Sequence, residues 1–323
     1  MDNRDEVKAF LSSRRAKITP EQAGLTTYGR KRRVPGLRRT EVADLAGVSV
    51  EYYSQLERGN LGGVSDDVLD ALARALQLDE AERSHLVDLA HAAGPAARTR
   101  RRRAPAQHVR PSVQRILDGM TEVPVLVNNG RLDVLAANPL AQALFAPVFA
   151  DPARPANHAR FNFLNPRAHD FWLNWERAAD DSVAMLRTEA GRDPYDKALT
   201  DLVGELCTRS DAFRVRWAAH DVRLHRTGLK HIHHPIVGDL HLSYDVMELP
   251  ADPGQSLIAF SAEAGSPNDD ALRLLASWAA THDPADALTA TKKLELRAPL
   301  RASGQAERVC DRSEVVDVAI DGI

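Results

Sequence analysis

Two stretches of the chain carry side chains whose types and spacing could do chemistry. In the first, His220, His225, His231, His233, His234 and His241 fall within 22 residues. On a strand, His231 and His233 would share a face, as two ligands of a zinc ion do. Alternating histidines also decorate exposed hairpins, with His234 fixed in a turn ahead of Pro235. No Cys or carboxylate spacing completes a metal site. Ser243 or Ser261 beside a histidine would supply a nucleophile and a base, yet neither lies in a G-x-S-x-G elbow and no helper carboxylate is evident. The expectation is no catalytic residue, no metal and no cofactor. The competing reading is a metal-binding or hydrolytic domain built on residues 220–241. The second stretch is GLRRTEVADLAGVSVEYYSQLERG, residues 36–59. It offers a row of amide, hydroxyl and carboxylate groups on a short helix.

The elements needed to hold that row follow from spacing. Residues 40–46 read as one helix, with Val42 and either Leu45 or Ala46 inward. Gly47 suits a turn of positive φ, and Val48 plugs it. Ser49 caps a second helix on which Tyr53 and Leu56, three apart, face back. Ala43 is small enough to let the second helix pass close. These are the packing requirements of a helix-turn-helix, and a purely structural helical hairpin satisfies them as well.

The frame around the stretch favours the former. From Arg4 to Arg39, 11 basic residues face only Asp5, Glu6 and Glu21; residues 1–103 carry +4 and the rest −7, for a net −3. A basic segment beside a candidate reading helix is the electrostatic footprint of a duplex-binding domain. The long connection 18–36 contains Arg30, Lys31, Arg32 and Arg33, suited to phosphate or to an arm entering a groove. A first helix is expected over 5–17, a fourth from the cap Ser65 to about Leu76, and a fifth from the Asp79/Glu82 capping box. The tract 94–110 is rich in Ala, Pro and Arg and reads as a basic linker.

At 323 residues, with 44% apolar composition, two domains are expected. After the linker come a helix near 113–120, a strand–turn–strand–helix over 123–145, and amphipathic helices over 172–186, 194–206 and 213–220. Antiparallel strands follow over 222–249, with turns at Thr227-Gly228 and Gly238-Asp239, and a last strand at SLIAFSAE. The fold expected is multidomain: an all-α five-helix domain, then an α+β domain with an antiparallel sheet. No run of about 18 apolar residues would span a membrane. The charged start is unlike a secretory signal, and Cys207 and Cys310 read as reduced thiols of a cytoplasmic protein. Residues 281–323 form a polar tail with no assigned structure.

Residues 5–92 resemble the XRE-type, phage-repressor-like helix-turn-helix domain. Residues 108–275 resemble the ligand-binding domain of MmyB-like transcription regulators, through RPSVQRIL, LDVLAANPLAQALF, the block from Phe213 to Leu257, and SAEAGSPNDDALRLLASWA. Ala137 departs from the Trp common at that place. The resemblance implies a bacterial, actinobacterial transcription regulator with four segments: a DNA-binding domain (1–93), the linker (94–110), a PAS-like sensor (111–280) and the tail. It further implies a small amphipathic or fatty-acid-like ligand. Reading two half-sites calls for a homodimer.

In the resembling repressors the start of the second motif helix enters the major groove. That places Ser49, Val50, Glu51, Tyr52, Ser54 and Gln55 near double-stranded DNA, because Tyr53 and Leu56 are committed to the core. Gln55 can pair with adenine, Glu51 can accept from cytosine N4, and Val50 can touch a thymine methyl. Arg39, Thr40 and Arg58, with Arg32 and Arg33 of the loop, suit phosphates. For the sensor pocket the candidates are Leu144, Phe145, Trp175, Phe213, Trp217 and Val222, with His220 and His234 as polar contacts. Arg160 or Arg223 would be the cation for a carboxylate.

Overall fold

The computed structural model describes residues 3–26, 34–94, 108–151, 154–223 and 225–281. The N-terminal region contains α1 (Asn3–Lys17), α2 (Arg39–Ala46), α3 (Val50–Glu57), α4 (Asp66–Ala75) and α5 (Glu80–Ala93). Each begins or ends where the sequence provides a stop. Asp79 accepts from Glu82 N and the Glu82 carboxylate returns to Asp79 N, so both halves of the capping box form ahead of α5. Ser65 stands at the N-cap of α4 without a side-chain bond. One face of every helix is apolar, and Val7, Phe10, Leu11, Leu37, Leu56, Leu61, Leu72, Leu86 and Leu89 are fully buried against one another. At roughly 1.5–3 kcal/mol per large apolar side chain taken from water, this core is the main favourable contribution set against the chain entropy lost on folding.

The remainder is α+β. It runs α6 (Pro111–Gly119), β1 (Val125–Asn129), β2 (Val134–Ala137), α7 (Pro139–Leu144), α8 (Ala146–Phe149), α9 (His158–Leu164) and α10 (Ala168–Phe171). Then come α11 (Trp175–Arg192), α12 (Lys197–Arg209), α13 (Asp211–Ala218), β3 (Thr227–His234), β4 (Gly238–Glu248), β5 (Gln255–Ser261) and α14 (Pro267–Thr281). The strands form one antiparallel sheet in the order β2-β1-β5-β4-β3. Alternation sends Ile232, Leu240, Leu242, Tyr244, Ile258 and Phe260 to the face covered by helices. The opposite face stays open along β3–β4, where Leu229, His231, His241 and Met247 are at least partly exposed. Ala137 is half-buried against the covered core.

One expected turn is a strand instead. Thr227 and Gly228 pair with Asp245 and Tyr244 and open β3. Glycine at 228 leaves room for Tyr244, because a Cβ there would crowd the tyrosine hydroxyl at 3.0 Å and the ring at 3.1–3.3 Å. The segment from Val222 to Arg226, expected as strand, precedes the sheet. The turn at Gly238 does form, with φ +79. The basic cluster Arg30–Arg33, the linker arginines 100–103, and Cys310 with the rest of the tail lie outside the described residues.

Candidate DNA-reading face and ligand cavity

The candidate reading face is assembled around one residue in the left-handed region. Gly47 ends α2 at φ 66, which reverses the chain within two residues and lets Val48 N bond to Ala43 O at 3.0 Å. Ser49 then caps α3, its Oγ accepting from Tyr52 N at 3.1 Å. Val42, Ala43, Tyr53 and Leu56 are fully buried, and Ala46 is the third inward residue of α2; Leu45 is 39% exposed. The opposite side of α3 is free: Glu51, Tyr52 and Gln55 are exposed, with Ser54 half-buried, and Arg58 is exposed just beyond. Val50 is half-buried and packs on the helical core.

A buried carboxylate stiffens this arrangement. Glu57, at the end of α3, accepts from Arg15 Nη2 of α1 at 2.8 Å and from Arg39 Nε of α2 at 3.0 Å. Burial alone would raise its carboxyl, but the hydrogen bonds from Arg15 and then Arg39 hold it below the ordinary carboxylate range. Arg39, expected on phosphate, is therefore committed first to Glu57, although over half its side chain remains exposed. Thr40 is exposed beside it at the amino end of α2. The spacing pattern gave no role to Glu57; its clue was an acid at an inward helix position, next to Leu56.

The second feature is a cavity of about 60 Å³ between the covered sheet face and α9 and α11. Its walls include Leu126, Phe145, Trp172, Ile258 and Phe260. Its polar end is a Lys230–Asp181 ion pair at 3.1 Å, with the ammonium 5.0 Å from the Tyr244 ring centroid and 5.9 Å from that of Trp172. Burial pulls the Lys230 ammonium below its usual pKa, and Asp181 works against that shift. His225 stacks on Tyr244 with centroids 4.4 Å apart, and its Nδ1 lies 3.0 Å from the tyrosine hydroxyl. Burial, reinforced by the Lys230 charge, pushes His225 down to about 3 and His158 to about 4. Both rings are thus neutral near pH 7 and line the cavity as hydrogen-bonding groups. Asn128 Oδ1 is buried on the same wall without a hydrogen-bond partner among the described residues. Apolar walls with a few convergent polar groups match the lining of a small-molecule site, while the volume falls short of the roughly 300–1,000 Å³ of ordinary ligand pockets, so a ligand larger than a few atoms requires the walls to part.

Comparison with known families places each feature within a matched domain. Residues 14–86 match a helix-turn-helix domain model. Residues 109–275, over half of the chain, match the MmyB-like transcription regulator ligand binding domain. The chain belongs to the MmyB-like transcription regulators. No curated protein matches it closely enough to add to this.

In this MmyB-like regulator the residues expected in the pocket are dispersed. Phe145 lines the cavity. Leu144 is fully buried in the core beside it, and Trp175 donates to Asn162 O at 2.9 Å and stacks on His169. His234 is buried with Nε2 3.1 Å from Ala143 O. Phe213 is buried in a separate helical core with Trp217 stacked on it at 5.6 Å. His220 and Val222 belong to the seam with the N-terminal helices, Val222 packing into their core. They miss the cavity because the chain after α13 turns toward α1 before entering the sheet. The cation at the cavity is Lys230; Arg160 pairs with Glu205 at 2.8 Å, and Arg223 approaches Asp181 at 3.7 Å. Lys230, Asp181 and His158 were not singled out by sequence, and His225 was named only as one of six histidines weighed for metal or catalysis, not for the pocket. The available signal was Lys230 alternating with Gly228 and Ile232 on the inward face of a strand.

The histidines do not converge. His225 faces the cavity and His220 the seam. His231 and His241 form an exposed cross-strand pair with Nδ1 atoms 2.5 Å apart, and His233 pairs with Asp239. Among the described residues, no group of three or more His, Cys, Asp or Glu could hold a metal ion. Ser243 and Ser261 are exposed register partners on β4 and β5. No helix among the described residues is long and apolar enough to cross a membrane.

Proposed function

We propose that this transcription regulator is a sequence-specific homodimer. On this reading α3 enters the major groove and a small amphipathic ligand, fatty-acid-like in kind, occupies the cavity and shifts DNA affinity. The domain limits assumed are 1–93, a linker over 94–110, a sensor over 111–280 and the tail. The observation that carries the reading is the two-sidedness of α3: Tyr53 and Leu56 are wholly buried while Glu51, Tyr52 and Gln55 are exposed on its far side. Glu51 and Gln55, four apart, share one face and are the base readers. Thr40, Arg39 and Arg58 flank them for phosphates. One such helix reads few base pairs, so two copies on two half-sites supply the specificity. The ligand's apolar body suits the aromatic wall, and its acceptor group suits Lys230.

Gel shifts on the DNA upstream of the protein's own gene test this reading directly. Gln55→Ala should weaken binding by roughly 1–3 kcal/mol at one base position, and an unchanged operator preference across a footprinting series would reject the assignment. Failure of the full chain to bind any duplex at low salt would end the regulator reading. Native mass spectrometry reads the rest: a dimer mass with a co-purified small amphipath supports the proposal. A monomer, or stoichiometric zinc, contradicts it.

A further inference from the structure

The chain between α13 and β3 touches two sites within seven residues. At its start, Arg14 of α1 donates to His220 O and pairs with Asp221 Oδ1 at 3.3 Å, while Lys17 Nζ lies 2.6 Å from the same oxygen. Val222, 5% exposed, is seated in the apolar core of the N-terminal helices. The next residues turn to the cavity. Arg223 reaches Asp181 at 3.7 Å, and His225 forms part of the wall against Tyr244. Arg226 then returns to Glu80 of α5 at 3.1 Å.

Helix α11 repeats this double attachment on a rigid element. Asp181, Ser182 and Met185 line the cavity. Arg187, fully buried, pairs with Glu6 of α1, donates to Trp217 O and lies 2.9 Å from His220 Nδ1. One turn further, Gly191 accommodates His85 of α5, where a Cβ would meet the imidazole at 2.5 Å. Asp181 therefore stands at a junction: Lys230 holds it from the cavity, and Arg223 holds it from the strap.

We propose that the strap residues His220–Arg223 and His225–Arg226, with α11, transmit the state of the cavity to the DNA-binding domain, with Asp181 as the switch point. This rests on the cavity being the ligand site. A ligand acceptor that draws Lys230 away leaves the Asp181 charge to Arg223. The strap follows, and Val222 and Asp221 loosen their hold on α1 and α5. Coupling needs an element that both sites bias; here it is the seating of Val222. It must also be reciprocal, so loosening the seam alters the cavity by the same factor.

The test uses the full chain and hydrogen–deuterium exchange. Lys230→Met removes the cavity cation; the Lys230 ammonium contacts Asp181, Trp172 and Tyr244, all in the sensor. The expected result is faster exchange in α1 and α5 by about tenfold, within the 5- to 150-fold range of ordinary coupling. Glu6→Gln, at the seam, should in turn speed exchange at the start of β3. If Lys230→Met does not fold, Lys230→Gln removes the same cation with a polar side chain, leaves the Asp181 charge to Arg223, and carries the same expectation. Changes confined to the mutated domain in each variant would overturn the proposal. Uncoupled exchange with normal duplex binding removes the strap and keeps the regulator reading; coupled exchange with no duplex bound does the reverse.

Discussion

His85→Leu should flatten the acid sensitivity of this protein. His85 lies on α5 at the seam, fully buried, edge-on to Phe10 at 5.0 Å and 4.0 Å from the Glu6 carboxylate. Neither ring nitrogen has a hydrogen-bond partner among the described residues. Burial is the largest influence on the ring; Glu6 opposes it, Arg187 and Arg14 add to it, and the pKa falls to about 4 from 6.5. Below pH 6.5 the unfolded chain takes up a proton that the native protein refuses, so stability is present above 6.5 and drains away toward pH 4. A shift of that size corresponds to about 3 kcal/mol over the window, with a limiting slope of about 1.4 kcal/mol per pH unit. Leucine is close in volume and does not titrate. Since the neutral ring makes no hydrogen bond, the variant should match or exceed wild type at pH 7.5. The assay is urea denaturation followed by circular dichroism at pH 7.5, 6.5, 5.5 and 4.5, wild type against variant. Other groups titrate in this range, but the difference between the two curves isolates His85. Parallel curves across all four values would refute the reasoning. Glu6 acts in a lower window: burial raises its carboxyl, yet His220 and Arg187 bring it to about 2, so its contribution drains away only below about pH 4.5.

Gly47→Ala places a Cβ at φ 66 in the turn of the reading motif and should cost about 1 kcal/mol in thermal or urea unfolding. A neutral result would mean the turn relaxes into another conformation. Glu57→Gln leaves Arg15 and Arg39 without their counter-charge beside a 3%-exposed position and should cost about 3 kcal/mol. Its effect should disappear at low pH, because the wild-type carboxyl, held below its ordinary range, is itself protonated there; a cost persisting unchanged in acid would point to packing instead.

Much of the architecture follows from local chemistry that the sequence displays. The apolar periodicity, the caps at Ser49 and Asp79 and the left-handed Gly47 each act over a few residues, so the helix-turn-helix and its exposed row were legible in the sequence. The same holds for the α+β class of the second half, because strand alternation is a local pattern. What tertiary structure decided is where long-range partners meet. Gly228 reads as a turn signal until Tyr244 is placed across from it. Val222 and His220 read as sensor residues until the chain carries them to the N-terminal helices. Glu57, Lys230 and Asp181 carry no local signal of their partners, since nothing nearby in sequence says that Arg15, 42 residues from Glu57, lies 2.8 Å from it in space, or that Asp181 faces β3. Sequence alone determined most of the elements and the exposed row of α3; packing alone determined the cavity, its cation and the seam joining the two, because burial and charge pairing are properties of the assembled chain.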